Sequence, residues 1–483
     1  MKKLLTSLTL LALLSSCNLA PDYEDPAKQE SLEKAVADNF YHAKGIWAEV
    51  SPDKVLDKGD WWAIFGDATL DSYMKDLKEH NPDLKSAFYR VEQARTAAAM
   101  TEAELYPHLA GSASFARSDS SSNVPQTNTG LYNSWLIGTA LTWDLDFFGR
   151  VRNLLASEVA TAQATYAAYQ NTMLILESEV ATAYFTLKQY VSEEELLKET
   201  IDLRVEQLKL VEDREKAGGA TLVDVERARQ QLFEAKAQLA AISKAKELSK
   251  DYIALLLGTT RGNIEINESM LEASIPLAPK TVPSEILQRR PDVMQAERGV
   301  FSANELIGAA TAAFFPTVAI TASAELNSNR IEDLFKASSL AWGVSPSVYF
   351  PIFQAGRLYY QRKQSLYAHK EMLENYRSVV LKAINQVEDA LVSIKYLDME
   401  YNSRNEAMKA SQSVANLTQK QYDLGFVDYF ELSDSLRLLL VDQRSVISIK
   451  GDQYRELIKL MIASGGSLEN KAKENKVEEN KAE

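Results

Sequence analysis

The chain has 483 residues, of which 46% are hydrophobic and 25% are charged, as in a folded protein with a substantial core. Its formal net charge of −14 argues against nucleic acid as a partner, because binding a phosphate backbone requires an excess of basic groups. Its single cysteine excludes disulfides within the chain and metal sites built from several cysteines.

The N-terminus has the pattern of a bacterial secretion signal. A basic start at Lys2 precedes an apolar core over residues 4–14, which is too short to span a bilayer. The core ends in the string Leu-Ser-Ser-Cys at Cys17, which resembles a lipobox. We therefore expect a signal peptide over 1–16 and covalent lipid on Cys17, with a chance cysteine as the alternative. Asn18 follows in place of the Asp that resembles an inner-membrane retention signal, which favours the outer membrane.

A helix and a hairpin open the first repeat, which covers 67–258. The helix is predicted over 82–104, because proline suits a first helical turn and Asn81 suits the N-cap. The apolar period then changes to two over 107–148, which predicts a β-hairpin around a polar loop.

A very long helix follows the hairpin. Residues 150–217 contain neither glycine nor proline, which predicts one unbroken helix roughly 100 Å long. Gly218 suits the left-handed conformation that ends a helix, and a return helix is expected over about 221–257.

The same plan recurs after a linker over 259–283. Landmark residues of the second repeat (284–465) keep offsets of 209 before the hairpin loop and 207 after it, which chance does not produce. The second set of elements is a helix over 291–313, a hairpin over 316–353, a long helix over 357–424 and a return helix over 428–463. Residues 466–483 are almost all Glu, Lys, Asn and Ala, which predicts a disordered tail.

The four predicted strands have membrane dimensions. Each is roughly ten residues long, enough to cross a bilayer when tilted, and aromatic residues such as Trp135 and Trp342 lie near the strand ends. A soluble sheet packed on helices is the alternative. Four strands cannot close a barrel, which needs about eight, and an open edge cannot exist in lipid. Several chains must then share one barrel, and a trimer would supply twelve strands.

The long helices also need partners. Both carry apolar residues at spacings of three and four, typical of coiled-coil-like packing, and neither can bury such a stripe on itself. Two repeats in each of three chains would form a wall with six-fold-like symmetry.

Local strings now identify a family resemblance. The chain resembles the TolC family of outer-membrane channel proteins over residues 1–466, and the lipid-anchored branch that serves drug-efflux pumps looks nearest. The supporting strings are Trp61-Trp62 with Phe65 and Asp67, Asn81-Pro82-Asp83-Leu84, Leu287-Gln288-Arg289-Arg290-Pro291-Asp292, Phe350-Pro351-Ile352-Phe353 before Gly356, and Tyr422-Asp423-Leu424-Gly425.

The resemblance implies a fold and a function. The fold would be mostly α with a membrane β-barrel: a long antiparallel coiled-coil α-barrel, four strands per protomer and a trimeric twelve-stranded barrel. The homotrimer would conduct small-molecule drugs passively from a periplasmic adaptor protein and an inner-membrane efflux transporter to the exterior. Residues 17–66 would wrap the periplasmic body, and Cys17 would carry the lipid that anchors it in outer-membrane lipid.

The resemblance also places an iris-like gate at the glycine turns. Family members often hold this end shut with an arginine two residues after the second glycine, where this chain has Val427. Arg437, one turn beyond Asp434, matches an alternative pattern, and Arg227 is the repeat partner of Asp434. The expected gate residues are Asp434, Glu431, Asp224, Arg437, Phe430, Tyr422 and Arg227.

The turns themselves are the expected adaptor-docking tips. They comprise Gly218, Gly219, Thr221, Gly425, Phe426 and Val427. Ordinary helix termination is the alternative for the turns, and solvated surface charge is the alternative for the gate residues.

Other functions fit the sequence less well. The four histidines lie far apart without ligand spacing, and no nucleophile or phosphate-binding motif stands out, so neither an enzyme nor a metal site is expected. Two alternatives stay open. One is the same architecture serving type I protein secretion or metal export, and the other is a lipid-anchored coiled-coil scaffold without a pore.

Overall fold

The structure is a computed structural model that describes residues 18–28, 60–119, 131–272, 275–276 and 289–466. The signal peptide, Cys17 and the tail after Gly466 lie outside these residues, as do most of the N-terminal segment and part of the linker. The structure therefore does not test the predictions made for those parts of the chain.

Seven α-helices, four strands and five short 3-10 helices make up the regular structure of the described residues. The helices are α1 (Ala68–His80), α2 (Pro82–Ala103), α3 (Arg150–Lys216), α4 (Leu222–Leu256), α5 (Pro291–Ala312), α6 (Arg357–Asp423) and α7 (Tyr429–Ala463). The strands are β1 (His108–Asp119), β2 (Leu131–Leu145), β3 (Thr317–Ser328) and β4 (Leu340–Tyr349). The sequence analysis predicted α2 but not α1.

The two long helices have 67 residues each, because nothing inside them interrupts the backbone hydrogen bonds. Each begins after a glycine with positive φ, Gly149 or Gly356, and ends before another, Gly218 or Gly425. Within the described part of the chain, none of the helices combines the length and hydrophobicity that crossing a bilayer would need.

The chain divides into two compact units that differ from the two sequence repeats. One unit comprises Met1–Gln29, Tyr89–Ala167 and Gln295–Ser378, and the other comprises Glu30–Phe88, Ala168–Met294 and Val379–Glu483. Each unit thus gathers corresponding pieces of both repeats. We call them the strand unit and the turn unit.

The strand unit contains one antiparallel sheet in the order β1-β2-β3-β4. Its register joins the two hairpins through β2 and β3, with Trp143 opposite Ile320. Because side chains alternate along strands, successive residues lie on opposite faces of the sheet. One face is mainly apolar and aromatic, and Phe115 packs there on Trp135 with ring centroids 4.3 Å apart. The opposite face carries mainly small and polar residues, among them Ser134, which donates to Asn327 Oδ1.

A short N-terminal stretch, residues 18–28, packs on α5 in the same unit. We call it the strap. Asn304 Nδ2 donates to the carbonyl of Pro21 at 2.9 Å, and Tyr23 donates its hydroxyl to Glu297. Gly308 leaves the space that the strap occupies, because a Cβ there would lie 2.7 Å from the backbone of Ala20.

The core of the turn unit forms around α1 and α3. Phe185 stacks on Tyr454 with centroids 4.4 Å apart, and α1 buries its apolar side chains completely at Leu70, Met74 and Leu77. Burial of each such side chain stabilises the fold by about 1.5–3 kcal/mol.

Asp67 fixes α1 to α3. Its carboxylate caps α1 by accepting from the Thr69 N–H, and it also accepts from the Tyr184 hydroxyl at 2.7 Å and from Lys188 Nζ at 2.9 Å. These bonds to the charged form hold the pKa of Asp67 below its usual value, despite the opposing effect of burial.

Candidate gate and tip

The first glycine turn belongs to the turn unit and joins α3 to α4. Gly218 has φ +78°, and the Gly219 N–H donates to the Arg214 carbonyl at 2.8 Å, the bond of a Schellman motif. Thr221 caps α4 by accepting from the Asp224 N–H, while the Asp224 carboxylate accepts from the Thr221 N–H at 3.0 Å. The carboxylate of Asp224 is therefore engaged in a capping box.

The second glycine turn repeats this construction between α6 and α7. Gly425 has φ +79°, and the Phe426 N–H donates to the Gln421 carbonyl at 2.9 Å. Asp428 caps α7 by accepting from the Glu431 N–H at 3.1 Å, and the Glu431 side chain is exposed. The two turns are equivalent because the sequence repeats at this point.

Large apolar side chains are exposed at both turns. Phe426 is 77% exposed and Leu424 71% exposed at the second turn, and Leu222 and Val223 are exposed on the first turn of α4. Val427 instead packs on a buried cluster beneath the turns. The structure thus leaves Phe426 free for a partner, whereas Val427 belongs partly to the core.

That buried cluster contains two tyrosines. Tyr422 and Tyr429 meet edge to face with centroids 5.8 Å apart, and both are almost fully buried. Neither hydroxyl has a hydrogen-bond partner within the described residues. Burial raises the pKa of both groups, that of Tyr429 to about 12. Tyr422, an expected gate residue, therefore lies inside the protomer.

Arg214 ties the two turns together. Its guanidinium lies 4.4 Å from the centroid of the Tyr422 ring, its Nη1 donates to the Tyr422 carbonyl, and Asp423 is 3.9 Å from its Nη2. The sequence analysis missed Arg214, because the stacking partner comes from a helix two hundred residues away in the chain.

A buried arginine, Arg204, was also missed. Arg204 on α3 donates to the Gln231 side chain on α4, and the Gln231 amide donates to the Ser433 carbonyl on α7 at 3.1 Å. Burial lowers the pKa of Arg204. These three polar residues join three helices next to the turns.

The expected gate pair lies on α7. Arg437 Nη2 donates to Asp434 Oδ1 at 2.7 Å across one helical turn, and both side chains are about half exposed. Surface pairs of this kind stabilise a helix by less than about 1 kcal/mol, so the pair can be broken and remade at little cost.

Arg227 makes other contacts than the repeat alignment suggests. Its guanidinium lies 4.9 Å from the centroid of Phe430 and 3.8 Å from Asp224, and it forms no ion pair with Asp434 among the described residues. Arg227 and Phe430 therefore link α4 to α7, whereas Asp434 pairs within its own helix.

Comparison with known proteins identifies the family. The family model described as outer membrane efflux protein matches residues 73–259 and 282–466. The chain belongs to the outer membrane efflux protein family. Its two matched segments correspond to the two sequence repeats.

The efflux protein has full-length relatives. It is 28% identical over 461 residues to the solvent efflux pump outer membrane protein SrpC of Pseudomonas putida, covering 94% of this chain and 96% of that protein. It is 29% identical over 468 residues to the cation efflux system protein CusC of Escherichia coli K12, covering 96% and 99%. The open-state crystal structure of the MtrE outer membrane channel of Neisseria gonorrhoeae matches with a TM-score of 0.78 at 26% identity, covering 93% and 98%.

These findings confirm several predictions. The fold is the mostly helical, internally repeated fold of the trimeric efflux channels, with an α-barrel and a β-barrel. The efflux protein is an outer-membrane exit channel and not an enzyme. Channels of this family are trimers that work with periplasmic adaptors and inner-membrane pumps. Membership of the family also decides between a pore and a scaffold, in favour of the pore.

Among the described residues, no group of three His, Cys, Asp or Glu side chains is placed to hold a metal ion. The predicted lipid on Cys17 and the roles of the gate and tip residues stay predictions.

Proposed function

We propose that three copies of this chain form the exit channel of a tripartite multidrug efflux system, with its gate at the glycine turns. The observation that carries the proposal is the pair of equivalent turns at which both 67-residue helices end, with the Asp434–Arg437 pair on the helix that follows the second turn. Small-molecule drugs would pass from an adaptor and inner-membrane transporter to the exterior without any bond being made or broken.

The sheet supports the trimer. Strands β1 and β4 are its edges, and a sheet edge in lipid needs a hydrogen-bonding partner. Three copies paired edge to edge give twelve strands, which is enough to close a barrel around a lumen. Native mass spectrometry of the detergent-extracted protein tests this step, and a monomer as the main species would contradict it.

The gate would act through repeated charge. In a trimer, Asp434 and Arg437 each occur three times around one axis, and a ring of carboxylates attracts cations and resists close approach. Arg437 would moderate this repulsion, since it pairs with Asp434 at 2.7 Å. Glu431 is exposed nearby and would add to the ring.

A cellular experiment tests the gate. The double variant Asp434→Ala/Arg437→Ala should admit a large antibiotic that the outer membrane normally excludes. The matched control is Glu406→Ala/Lys409→Ala, which removes an exposed pair of the same spacing on α6. Equal antibiotic resistance in the gate variant and the control would remove the gate assignment.

The exposed tips would dock the adaptor. Phe426, Thr221 and the glycines around them are exposed, and apolar side chains exposed at both of the equivalent turns suit an apolar partner surface. Single cysteines at Thr221 and Phe426 should form crosslinks with a co-expressed adaptor, whereas a cysteine at Glu406 should not. Absence of adducts from both tip positions would contradict docking there.

Covalent lipid on Cys17 would anchor the mature protein. The lipobox-like string and the absence of any other cysteine support this assignment. Labelled palmitate should enter the wild-type protein and not the Cys17→Ser variant. Equal incorporation in the two proteins would exclude Cys17 as the modified residue.

Export of metal cations is the second candidate function. CusC, a cation efflux system protein, is as similar to this chain as the solvent-pump protein is. Deleting the gene and measuring sensitivity to a panel of metal-cation salts beside a panel of drugs separates the two. Sensitivity to the metals alone would favour cation export.

A further inference from the structure

One acidic side chain stands among small residues on the polar face of the sheet. The register aligns Ser112, Gly138, Glu325 and Ala341 in a single row across all four strands. Glu325 is the only long side chain in this row. Glu325 is partly buried, and its neighbours in the row offer it no charged partner.

Gly138 makes the space that Glu325 occupies. A Cβ built at Gly138 would lie 2.7 Å from the Glu325 Cβ and 3.2 Å from the Ala324 carbonyl oxygen. Real Cβ atoms do not approach so closely, so any other residue at 138 would displace β3. The sheet therefore accommodates Glu325 through a glycine on the neighbouring strand.

The charges on this face all have the same sign. Along the described strand residues, the polar face carries Glu325 and Asp144, with His108 as its only other titratable group besides tyrosines. Arg117 is the only Lys or Arg among the described residues of these strands, and it lies on the apolar face. Among the described residues, no cation pairs with Glu325.

We propose that Glu325, together with Asp144, gives the barrel interior a preference for cations, separate from the gate at the glycine turns. This inference rests on the proposed trimeric channel. Barrel strands in membranes turn their apolar face to lipid and their polar face to the lumen, which places both carboxylates in the lumen. Three copies of each then surround the path that solutes take.

The physical effect depends on salt. Rings of carboxylates favour cation passage, because they lower the energy of a cation in the pore and raise that of an anion. The field of a carboxylate reaches about 10 Å at 0.1 M salt but only about 3 Å at 1 M. The preference should therefore be strong in dilute electrolyte and weak in concentrated electrolyte.

The reversal potential of single channels in a KCl gradient measures this preference. Wild-type protein should pass K⁺ in preference to Cl⁻. Glu325→Gln should lower the permeability ratio at least about two-fold at 0.1 M, with little change at 1 M. Asp144→Asn should act in the same direction, and combining the two substitutions should lower the ratio further.

Asp119→Asn is the matched control. It removes the same charge from a described strand residue on the apolar face. Its permeability ratio should stay close to that of the wild type. Equal effects of Asp119→Asn and Glu325→Gln would show a diffuse effect of net charge and would overturn the inference.

Each variant is measured in the wild-type background and with Asp434→Ala/Arg437→Ala, so that a shut gate does not hide the barrel. Conductance with an unchanged permeability ratio in Glu325→Gln overturns the inference and leaves the proposed channel intact. Failure of the wild-type protein to conduct in both backgrounds overturns the channel and this inference with it.

Discussion

Arg290 donates a hydrogen bond from Nη1 to the backbone carbonyl of Ala463, the last residue of α7, at 2.9 Å. In the first repeat, Asn81 Nδ2 donates to the carbonyl of Leu256, the last residue of α4, at 2.8 Å. Asn81 and Arg290 are 209 residues apart, and Leu256 and Ala463 are 207 apart. The duplication therefore preserves a tertiary contact, although the side chains that make it differ.

Replacement of Asn81 by alanine should destabilise the turn unit. Its Oδ1 also accepts from the Leu84 N–H at 2.9 Å, so Asn81→Ala removes the cap of α2 and the contact with α4 together. We expect a loss of about 1–3 kcal/mol, seen as a lower thermal midpoint by circular dichroism. Asn402→Ala, which removes an exposed asparagine on α6, should change the midpoint little. Equal midpoints for the two variants would contradict the role given to Asn81.

Gly258→Ala should destabilise the same contact from the other side. Gly258 has φ +74°, and a Cβ there would lie 2.5 Å from the His80 carbonyl oxygen. Strain of this kind costs about 1–3 kcal/mol. Gly262→Ala is the control, because a Cβ at Gly262 meets nothing within 4 Å. A thermal midpoint for Gly258→Ala as high as that for Gly262→Ala would show that the approach of the two chain segments is unimportant.

Gly308→Ala should release the strap from α5. The added Cβ would lie 2.6 Å from Asn153 Nδ2 and 2.7 Å from the Ala20 backbone. Trypsin should then cut after Lys28 about ten-fold faster, as expected for a loss of about 1.4 kcal/mol in local stability. Gly299→Ala on the same helix should leave the rate unchanged, since its Cβ would make only an ordinary contact with Met372. An unchanged rate of cleavage in Gly308→Ala would contradict the packing of the strap against Gly308.

Glu177 should make the stability of the turn unit depend on pH. Its carboxylate accepts from Trp61 Nε1 at 3.1 Å and lies 3.3 Å from Lys78 Nζ, but burial dominates and raises its pKa from 4.5 to about 7. The neutral carboxyl is the favoured form in the folded protein. Its contribution is therefore fully present below pH 4.5 and is lost as pH rises towards 7.

Glu177→Gln isolates this effect, since Gln can still accept from Trp61. The thermal midpoint of the wild type relative to Glu177→Gln should fall between pH 5 and pH 8 by the equivalent of about 2–3 kcal/mol. A constant difference across this range would show that Glu177 does not titrate there.

Much of the fold could be predicted because the relevant signals are local. The absence of glycine and proline fixes the long helices, and Gly218 and Gly425 end them through positive φ. Asn81 could be recognised as a cap because its partner, Leu84, is three residues away.

The side-chain contacts near the turns could not be predicted in the same way. Arg204 meets Gln231 only because α3 and α4 pack together, and Arg227 meets Phe430 across two repeats. Periodicity indicates which face of a helix is apolar, but it does not indicate which polar residue of another helix lies opposite. For the same reason, the repeat alignment identifies Arg227 as the counterpart of Asp434 but does not indicate its contacts with Phe430 and Asp224.

The single-channel conductance of the purified protein in planar bilayers tests the account most directly. The wild type should show a small conductance, and Asp434→Ala/Arg437→Ala should increase it severalfold, while Glu406→Ala/Lys409→Ala should leave it unchanged. Equal conductance in all three proteins would contradict a gate at the glycine turns, and absence of conductance in all three would contradict the channel itself.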